Sequence, residues 1–518
     1  MSKLQSIWAG ALPTMPSDPL TSNTNVDVCI IGAGIAGLTA AYRLLKSGRR
    51  VTLLDAKTPG HAETAYTTAH LAWAIDDRFT RLAEIRGDEV AKLAAVSHQV
   101  AISDIQDIAK VERIECEFAR VPGYLFSEFT DSLHILEEEE KTLNRLNIAH
   151  RHVDAIPLFR KPGIAFPEHA RFHPGMYLSG LLEAVQRLGG VVKPDTSVVK
   201  ITGGSPCTIE TETGYTITAR AVVVATNVPF DAGLILHTRI AAYTTYAIAI
   251  PIANGSVPDA LYWDTEDPYH YVRILPASVD RPMDLLIVGG EDHKTGQAKN
   301  QLERWSALEA WAKSRIPNVG KAALHWSGQV FETLDGLGLI GRGAWGENVF
   351  VMTGDSGMGL THGTLGGRLI ADLVNGVQNP WEKVYDPNRW TVGAALTMLQ
   401  ENSNLAMQYA DWFTGGDLSD EGDIAPGQGA IVRRGLRKIA VHRKPDGSIC
   451  ELSATCPHLG AVVRWNPGEQ TWDCPAHGSR FTATGEVMHG PAVSGLEPEE
   501  TPGNKNLPLA VGLTPQGS

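Results

Sequence analysis

Cysteine is scarce in this chain. Its 518 residues hold six, too few for a disulfide framework at this length, so the fold has to rest on buried apolar side chains. Long hydrophobic runs are missing too, and none approaches the ~20 apolar residues that span a bilayer. The N-terminal stretch MSKLQSIWAGALPTMPSDPL has no basic segment followed by an apolar one. Neither membrane insertion nor a secretory signal is expected, and the cytoplasm is the expected location. Positive charge is the third deficit. Lys plus Arg number 45 against 58 Asp plus Glu, a formal net charge of -13, which repels a phosphate backbone and makes nucleic acid an unexpected partner. No internal repeat is visible. A length of 518 residues with 43% hydrophobic content calls for two or three globular domains.

The chain is rich instead in glycine signals at structurally meaningful places. An apolar run (VDVCIIG), a glycine loop, a helical pattern (IAGLTAAYRLLKSG) and a second apolar run (RVTLLDA) alternate over residues 26–55, which reads as βαβ. Gly32, Gly34 and Gly37 form GxGxxG between the first strand and the helix, where Ile35 and Ala36 open the helix. Backbone amides and the helix N-terminus can there approach a pyrophosphate. Asp55 ends the second strand 23 residues after Gly32, placed to accept hydrogen bonds from ribose hydroxyls. The alternative is a tight turn that needs glycine only for packing, and it leaves Asp55 without a reason. Further α/β patterning predicts helices around 79–110 and 176–188, and strands at VVKI, TARAVVVAT, YTTYAIAIPI and DLLIVGGED.

The same loop serves FAD and NAD, and a late segment separates them. Residues 348–376 read NVFVMTGDSGMGLTHGTLGGRLIADLVNG, which resembles the closing FAD motif of the D-amino-acid oxidase superfamily. HPGMYLSGLLEAV, TARAVVVATN and HWSGQVFETLDGLGLIG extend the resemblance over roughly residues 25–400. It implies that Gly354, Asp355, Gly357, Met358 and Gly359 line a flavin, with Asp355 either at a ribityl hydroxyl or as an N-cap of the following helix. AYTTAHLAW carries Thr67, Thr68 and His70 in a stretch similar to one in the sarcosine and dimethylglycine dehydrogenase branch, where the histidine is bonded covalently to flavin. His70, with Thr68 beside it, is therefore a candidate for a covalent link, a non-covalent flavin contact, or simple packing. Amino acid oxidases of the superfamily commonly clamp a substrate carboxylate with an arginine after the WxG strand, whereas this chain has Trp326, Ser327, Gly328, Gln329 and Val330 there. Arg273 is an alternative carboxylate contact or else a surface ion pair. Tyr246, Tyr271 and His270 can either cage an amine or pack the core.

Near the C-terminus, CPHLGAVVRWNPGEQTWDCPAHGS places Cys456 and His458 as CxH and Cys474 and His477 as CxxH. Two thiolates can hold one iron and two imidazoles the other, with each loop supplying one of each, whereas zinc fingers pair like with like. This pattern resembles the Rieske [2Fe–2S] domain. Respiratory Rieske proteins carry a further cysteine in each loop, and Ala461 and Ala476 stand at the matching positions here. Ser479 matches a serine that donates a hydrogen bond to a cluster sulfur, or is an ordinary turn residue.

The whole chain resembles Rieske-containing FAD-dependent oxidoreductases. The expected fold is an α/β FAD-binding domain (Rossmann-like, of the glutathione-reductase and D-amino-acid-oxidase type) with an α+β substrate domain, plus a C-terminal all-β Rieske domain. Expected boundaries are 1–415 for the oxidoreductase part, 416–428 for a Gly/Asp-rich linker and 429–518 for the Rieske part. Within the first part, segments 25–76, 170–230 and 335–400 are expected to bind nucleotide and 77–169 and 231–334 to build the substrate domain. The resemblance implies oxidation of a small amine or amino acid at FAD, with electrons passing singly through the cluster to or from a ferredoxin-like or quinone partner. Two other readings stand beside it: an oxygen-using oxidase with a regulatory Rieske domain, and an electron-transfer adaptor with no small substrate. Cys29, Cys116, Cys207 and Cys450 are expected as reduced, packed thiols.

Overall fold

The apolar segment Thr24–Ile31 forms a strand whose last four residues are all buried, the pattern of a strand covered by helices on both faces. It sits inside a layer ordered Leu339–Arg342, Val349–Thr353, Thr216–Asn227, Thr24–Ile31, Val51–Leu54, Val191–Lys193. Every neighbouring pair runs parallel except the edge strand Leu339–Arg342. The computed structural model describes residues 3–230, 236–298, 300–343, 345–389, 395–418 and 420–499. Helices Ile35–Lys46 and Gly359–Val374 cover one face and pack closely on each other. A side chain at Gly367 would bring its Cβ within 2.7 Å of the Ala40 amide nitrogen, so glycine there lets the two backbones approach.

A second, ten-stranded sheet takes eight strands from residues 119–171 and 240–333 and two short edge strands, Lys3–Leu4 and His70–Leu71. Its centre is the ladder of Ile240–Ile252 between Asp284–Lys294 and Leu324–Thr333. The sequence-predicted strands are present as Val198–Thr202, Thr216–Asn227, Ile240–Ile252 and Asp284–Lys294. The helix expected over 79–110 is two helices, Phe79–Arg86 and Asp88–Glu112, because Gly87 at φ 84 closes the first in a left-handed conformation. The helix expected at 176–188 is Pro174–Arg187.

Beyond helix Ala395–Ala410 the described residues form a three-stranded and a four-stranded antiparallel sheet. The expected linker 416–428 needs correcting: its described residues pack on the first hairpin of this domain. Asp417 N–H donates to the Ile431 carbonyl, the Asp417 carboxylate accepts the Ile431 amide, and Ile424 is buried beside Ile439 and Val441. Short-range backbone pairing thus claims a segment whose composition alone reads as loop. Residues 500–518 of the expected Rieske region lie outside the described residues. All six cysteines are free, and Cys29, Cys116 and Cys207 are buried. Among the described residues no helix is long and apolar enough to cross a membrane.

Candidate active site

The glycine loop is held in shape by contacts that leave no room for side chains. Gly32 has φ +99, and its Cβ would lie 2.4 Å from the Ala225 carbonyl oxygen; a Cβ on Gly37 would lie 1.9 Å from the Gly32 oxygen. Gly34 precedes helix Ile35–Lys46 and has no side chain to cap it, and the helix N-terminus lines the cavity with the Thr64 hydroxyl accepting the Ile35 amide at 3.4 Å. Asp55 accepts the Ala33 amide at 2.8 Å and the Lys57 amide at 2.9 Å, which docks its carboxylate beside the loop. Gly37 braces the loop from beneath.

A single cavity of about 470 Å³ runs from this loop and Asp55 to Thr68 and His70. Asp355, Gly357, Met358 and Gly359 line it as well. Gly354 does not; it makes a tight turn at φ +68, where a Cβ would lie 2.4 Å from the Thr333 methyl. Asp355 is no N-cap, since helix Gly359–Val374 begins after Met358 without side-chain capping. Its carboxyl faces the cavity, and burial raises its pKa to about 7.

The segment before His70 is pinned by buried donors. Trp326 Nε1 donates to the Tyr66 carbonyl at 2.8 Å, Trp8 Nε1 to the Thr67 carbonyl at 2.6 Å, and the Arg273 guanidinium to the Thr68 and Ala69 carbonyls. Both expectations for Arg273 are therefore corrected. It is 0% exposed, so it makes no surface ion pair; its Nε and Nη1 donate to backbone carbonyls, its Nη2 is buried without a partner, and it is not among the residues that line the cavity. Arg273 is a positioning residue for the His70 segment. Burial, then the Arg273 charge, depress the His70 pKa to about 3, so its ring is neutral. Nδ1 meets the Thr68 hydroxyl at 3.1 Å, while Nε2 is buried without a partner.

Strand alternation sorts the aromatic candidates. Tyr269 and Tyr271 line the cavity, as do Thr245 and Ala247. Tyr246 and His270, one residue out of step, point to the other face. Tyr246 bonds His293 at 2.9 Å, and His270 bonds Asp264 and stacks on Trp311 at 4.5 Å. Of the two readings offered for Tyr246, a candidate substrate-site residue that cages an amine or a core residue, the structure places it in the core. A cavity of this length, with an amide cradle at one end and an orphaned imidazole nitrogen further along, fits FAD.

In the C-terminal domain the two loops bring Cys456, His458, Cys474 and His477 together. Cys456 and Cys474 are both buried, and the His458 and His477 rings are 5.0 Å apart. His458 Nδ1 and His477 Nε2 are buried without partners. Ser479 is fully buried and its oxygen accepts the Ala492 amide at 3.0 Å, so it is more than a turn serine.

The comparisons agree with this geometry. The pattern of the FAD dependent oxidoreductase family matches residues 27–373, and that of the Rieske [2Fe-2S] domain matches residues 417–500. This chain belongs to the FAD dependent oxidoreductase family and carries a Rieske domain. A Rieske 2Fe-2S iron-sulfur protein of Bacillus subtilis (strain 168), YhfW, is 31% identical over 94% of this chain and 95% of its own length. Gamma-glutamylputrescine oxidoreductase of Escherichia coli (strain K12) is 25% identical over 71% of this chain and 88% of its own. The crystal structure of glycine oxidase from Geobacillus kaustophilus superposes with a TM-score of 0.60 at 16% identity, over 71% of this chain and 99% of that one, which shows the shared fold. The cofactors of this oxidoreductase are FAD and a [2Fe–2S] cluster.

In this oxidoreductase the Rieske domain is docked onto the flavin side. Val487, Met488, His489, Gly490, Ala492 and Val493 form part of the FAD cavity wall. Gln329 donates its Nε2 to the Gly478 carbonyl at 2.8 Å, next to His477. Glu63 accepts the Gln329 amide at 2.7 Å and pairs with His489 at 3.0 Å. Burial alone would raise the Glu63 carboxyl, yet His489 and that amide hold its pKa below the usual value. Tyr409 and Trp412 hold the Leu459 and Gly460 carbonyls of the other cluster loop. Sequence reasoning missed Glu63, His489 and this use of Gln329. The only signal was the absence of arginine at Gln329.

Proposed function

We propose that this oxidoreductase oxidises a small amine or amino acid at FAD, and that the docked Rieske domain is the electron outlet toward a ferredoxin-like or quinone acceptor. The observation that carries this reading is the shared wall. Rieske residues close the FAD cavity, and Gln329 joins the cavity directly to the loop that bears His477. When bound, FAD would accept a hydride from the carbon that bears the amine nitrogen, leaving an imine once nitrogen loses a proton, and the cluster carries electrons one at a time.

The lining supports an amine. Tyr269, Tyr271, Trp263 and Trp326 supply aromatic faces for a cation. Asp76 lies beneath the Tyr269 hydroxyl, with burial and then Asp77 raising its pKa to about 7. Among the described lining residues Lys57 is the only Lys or Arg, beside Asp55, so no arginine fork meets a carboxylate. The matched relative that acts on gamma-glutamylputrescine agrees with an amine donor.

The test is an anaerobic titration of holoprotein with small amines and amino acids, following flavin absorbance and the cluster's EPR signal together. One compound is expected to reduce both centres. Flavin bleaching with an oxidised cluster would sink the outlet role, and no bleaching by any compound would sink the substrate class.

We propose further that His70 contacts the flavin without a covalent bond. Its Nε2 has no partner within the protein, and neutral imidazole can serve as a hydrogen-bond partner. Acid precipitation should release all yellow colour into the supernatant. Flavin retained in the pellet would mean a covalent link.

A further inference from the structure

His237 comes from the substrate-domain stretch of the chain, yet its ring lies on the cluster ligands. Its centroid is 4.6 Å from that of His458 and 5.3 Å from that of His477, both edge-on. It is 4% exposed, and neither of its ring nitrogens has a hydrogen-bond partner. A buried imidazole left unpaired costs about 1–3 kcal/mol, so such a ring is kept where a partner completes it. Once iron takes one nitrogen of a ligand histidine, the other nitrogen carries an N–H that needs an acceptor. His237 is the unpaired group facing both ligand rings. An imidazole that carries a single proton keeps its other nitrogen free to accept.

We propose that His237 is the hydrogen-bond acceptor that the FAD-bearing part of the chain presents to one ligand histidine of the cluster, His458 being the nearer, and that it turns this imidazole edge inward to the flavin side. An acceptor on the ligand N–H makes the ligand more electron-rich and holds the cluster's potential down. His237 is therefore a positioning and tuning residue. This assignment deepens the electron-outlet reading and places the edge where that reading needs it.

The experiment is an EPR-monitored redox titration of holoprotein with chemical mediators, comparing wild type with His237→Phe, His237→Ala and His237→Gln. Phe keeps the ring and loses the acceptor. At a fixed potential its ratio of reduced to oxidised cluster is expected to rise about tenfold, a shift of about 59 mV for a one-electron couple. Ala should shift the same way, and Gln, which keeps an acceptor, should stay near wild type. Unchanged potentials in Phe and Ala, or an equal shift in all three variants, would overturn the assignment.

Wild type supplies a check that needs no variant. After exchange into D2O, the reduced cluster should show shallow deuterium modulation, because a protein ring occupies the place of water at the histidine edge. Deep modulation, as from a water-exposed edge, would overturn it. Mediators reduce the cluster whether or not flavin does, so these readouts survive a failure of the outlet reading. Conversely, shifted potentials alongside a cluster that no amine reduces would sink the outlet reading alone.

Discussion

Replacing Gly37 with alanine is expected to strip FAD from the protein. The added methyl would sit 1.9 Å from the Gly32 carbonyl oxygen and 3.0 Å from its carbon. Both are backbone atoms, so no side chain can swing aside. Either the glycine loop lifts or helix Ile35–Lys46 slides, and each movement spoils the amide cradle. Overpacking of this kind costs about 1–3 kcal/mol, and about 1.4 kcal/mol is a tenfold change in affinity. We expect FAD binding roughly 10- to 100-fold weaker, measured by titrating FAD into apoprotein and following flavin fluorescence. Gly320→Ala is the control, since nothing lies within 4 Å of a Cβ there and its φ is ordinary. Equal FAD affinity in both variants would show that the loop tolerates the methyl and that the cradle is not as rigid as its contacts imply.

Asp335→Ala is expected to destabilise the oxidoreductase part strongly. Asp335 is buried between two cations: Arg389 reaches it at 2.6 and 2.9 Å, and Arg86 makes a second pair with it. Arg86 ends helix Phe79–Arg86, and Arg389 also holds the Leu337 and Gly338 carbonyls. The carboxylate therefore joins the substrate domain to the turn that enters strand Leu339–Arg342. Burial alone would raise the Asp335 pKa, but Arg389 and Arg86 hold it well below the usual carboxylate range. Burial and Arg389 also lower the Arg86 pKa, yet arginine stays protonated at neutral pH.

Removing the carboxylate leaves two buried guanidinium groups uncompensated, at a cost of about 3–5 kcal/mol. The urea midpoint of the transition reported by flavin fluorescence should fall accordingly. Because the folded pKa is depressed, the carboxylate's contribution is full above the unfolded value near 3.9 and is lost as pH falls through the lower folded value. The difference between wild type and variant should thus be constant at neutral pH and shrink only in strong acid. A midpoint unchanged by the substitution would show that the triad contributes no net stability.

Much of this was legible in the sequence because the chemistry sits in short, local patterns. GxGxxG followed by Asp55 encodes a turn, a helix start and a strand end within one βαβ unit, and each of these depends on neighbours a few residues away. CxH and CxxH work the same way, since each loop carries its own pair of ligands. The Gly/Asp-rich stretch after residue 410 misled because composition reports local flexibility, while Asp417 and Ile424 are held by strands that follow later. Arg273 misled for a similar reason. A charged residue in an apolar strand is usually at the surface, and only the carbonyls of Thr68 and Ala69, far along the chain, explain its burial.

By itself the sequence determined the two cofactor sites and the order of the domains, because backbone conformation and ligand spacing are decided over a few residues. Tertiary structure alone decided which faces those sites present to each other. Tyr271 rather than Tyr246 meets the cavity because a strand exposes alternate residues, and the choice of face is made by the sheet's packing. Gln329 meets Gly478 and His237 meets His458 and His477 across hundreds of residues. Such contacts leave no periodic trace in the chain, since the free energy that forms them comes from burying two finished domain surfaces against one another.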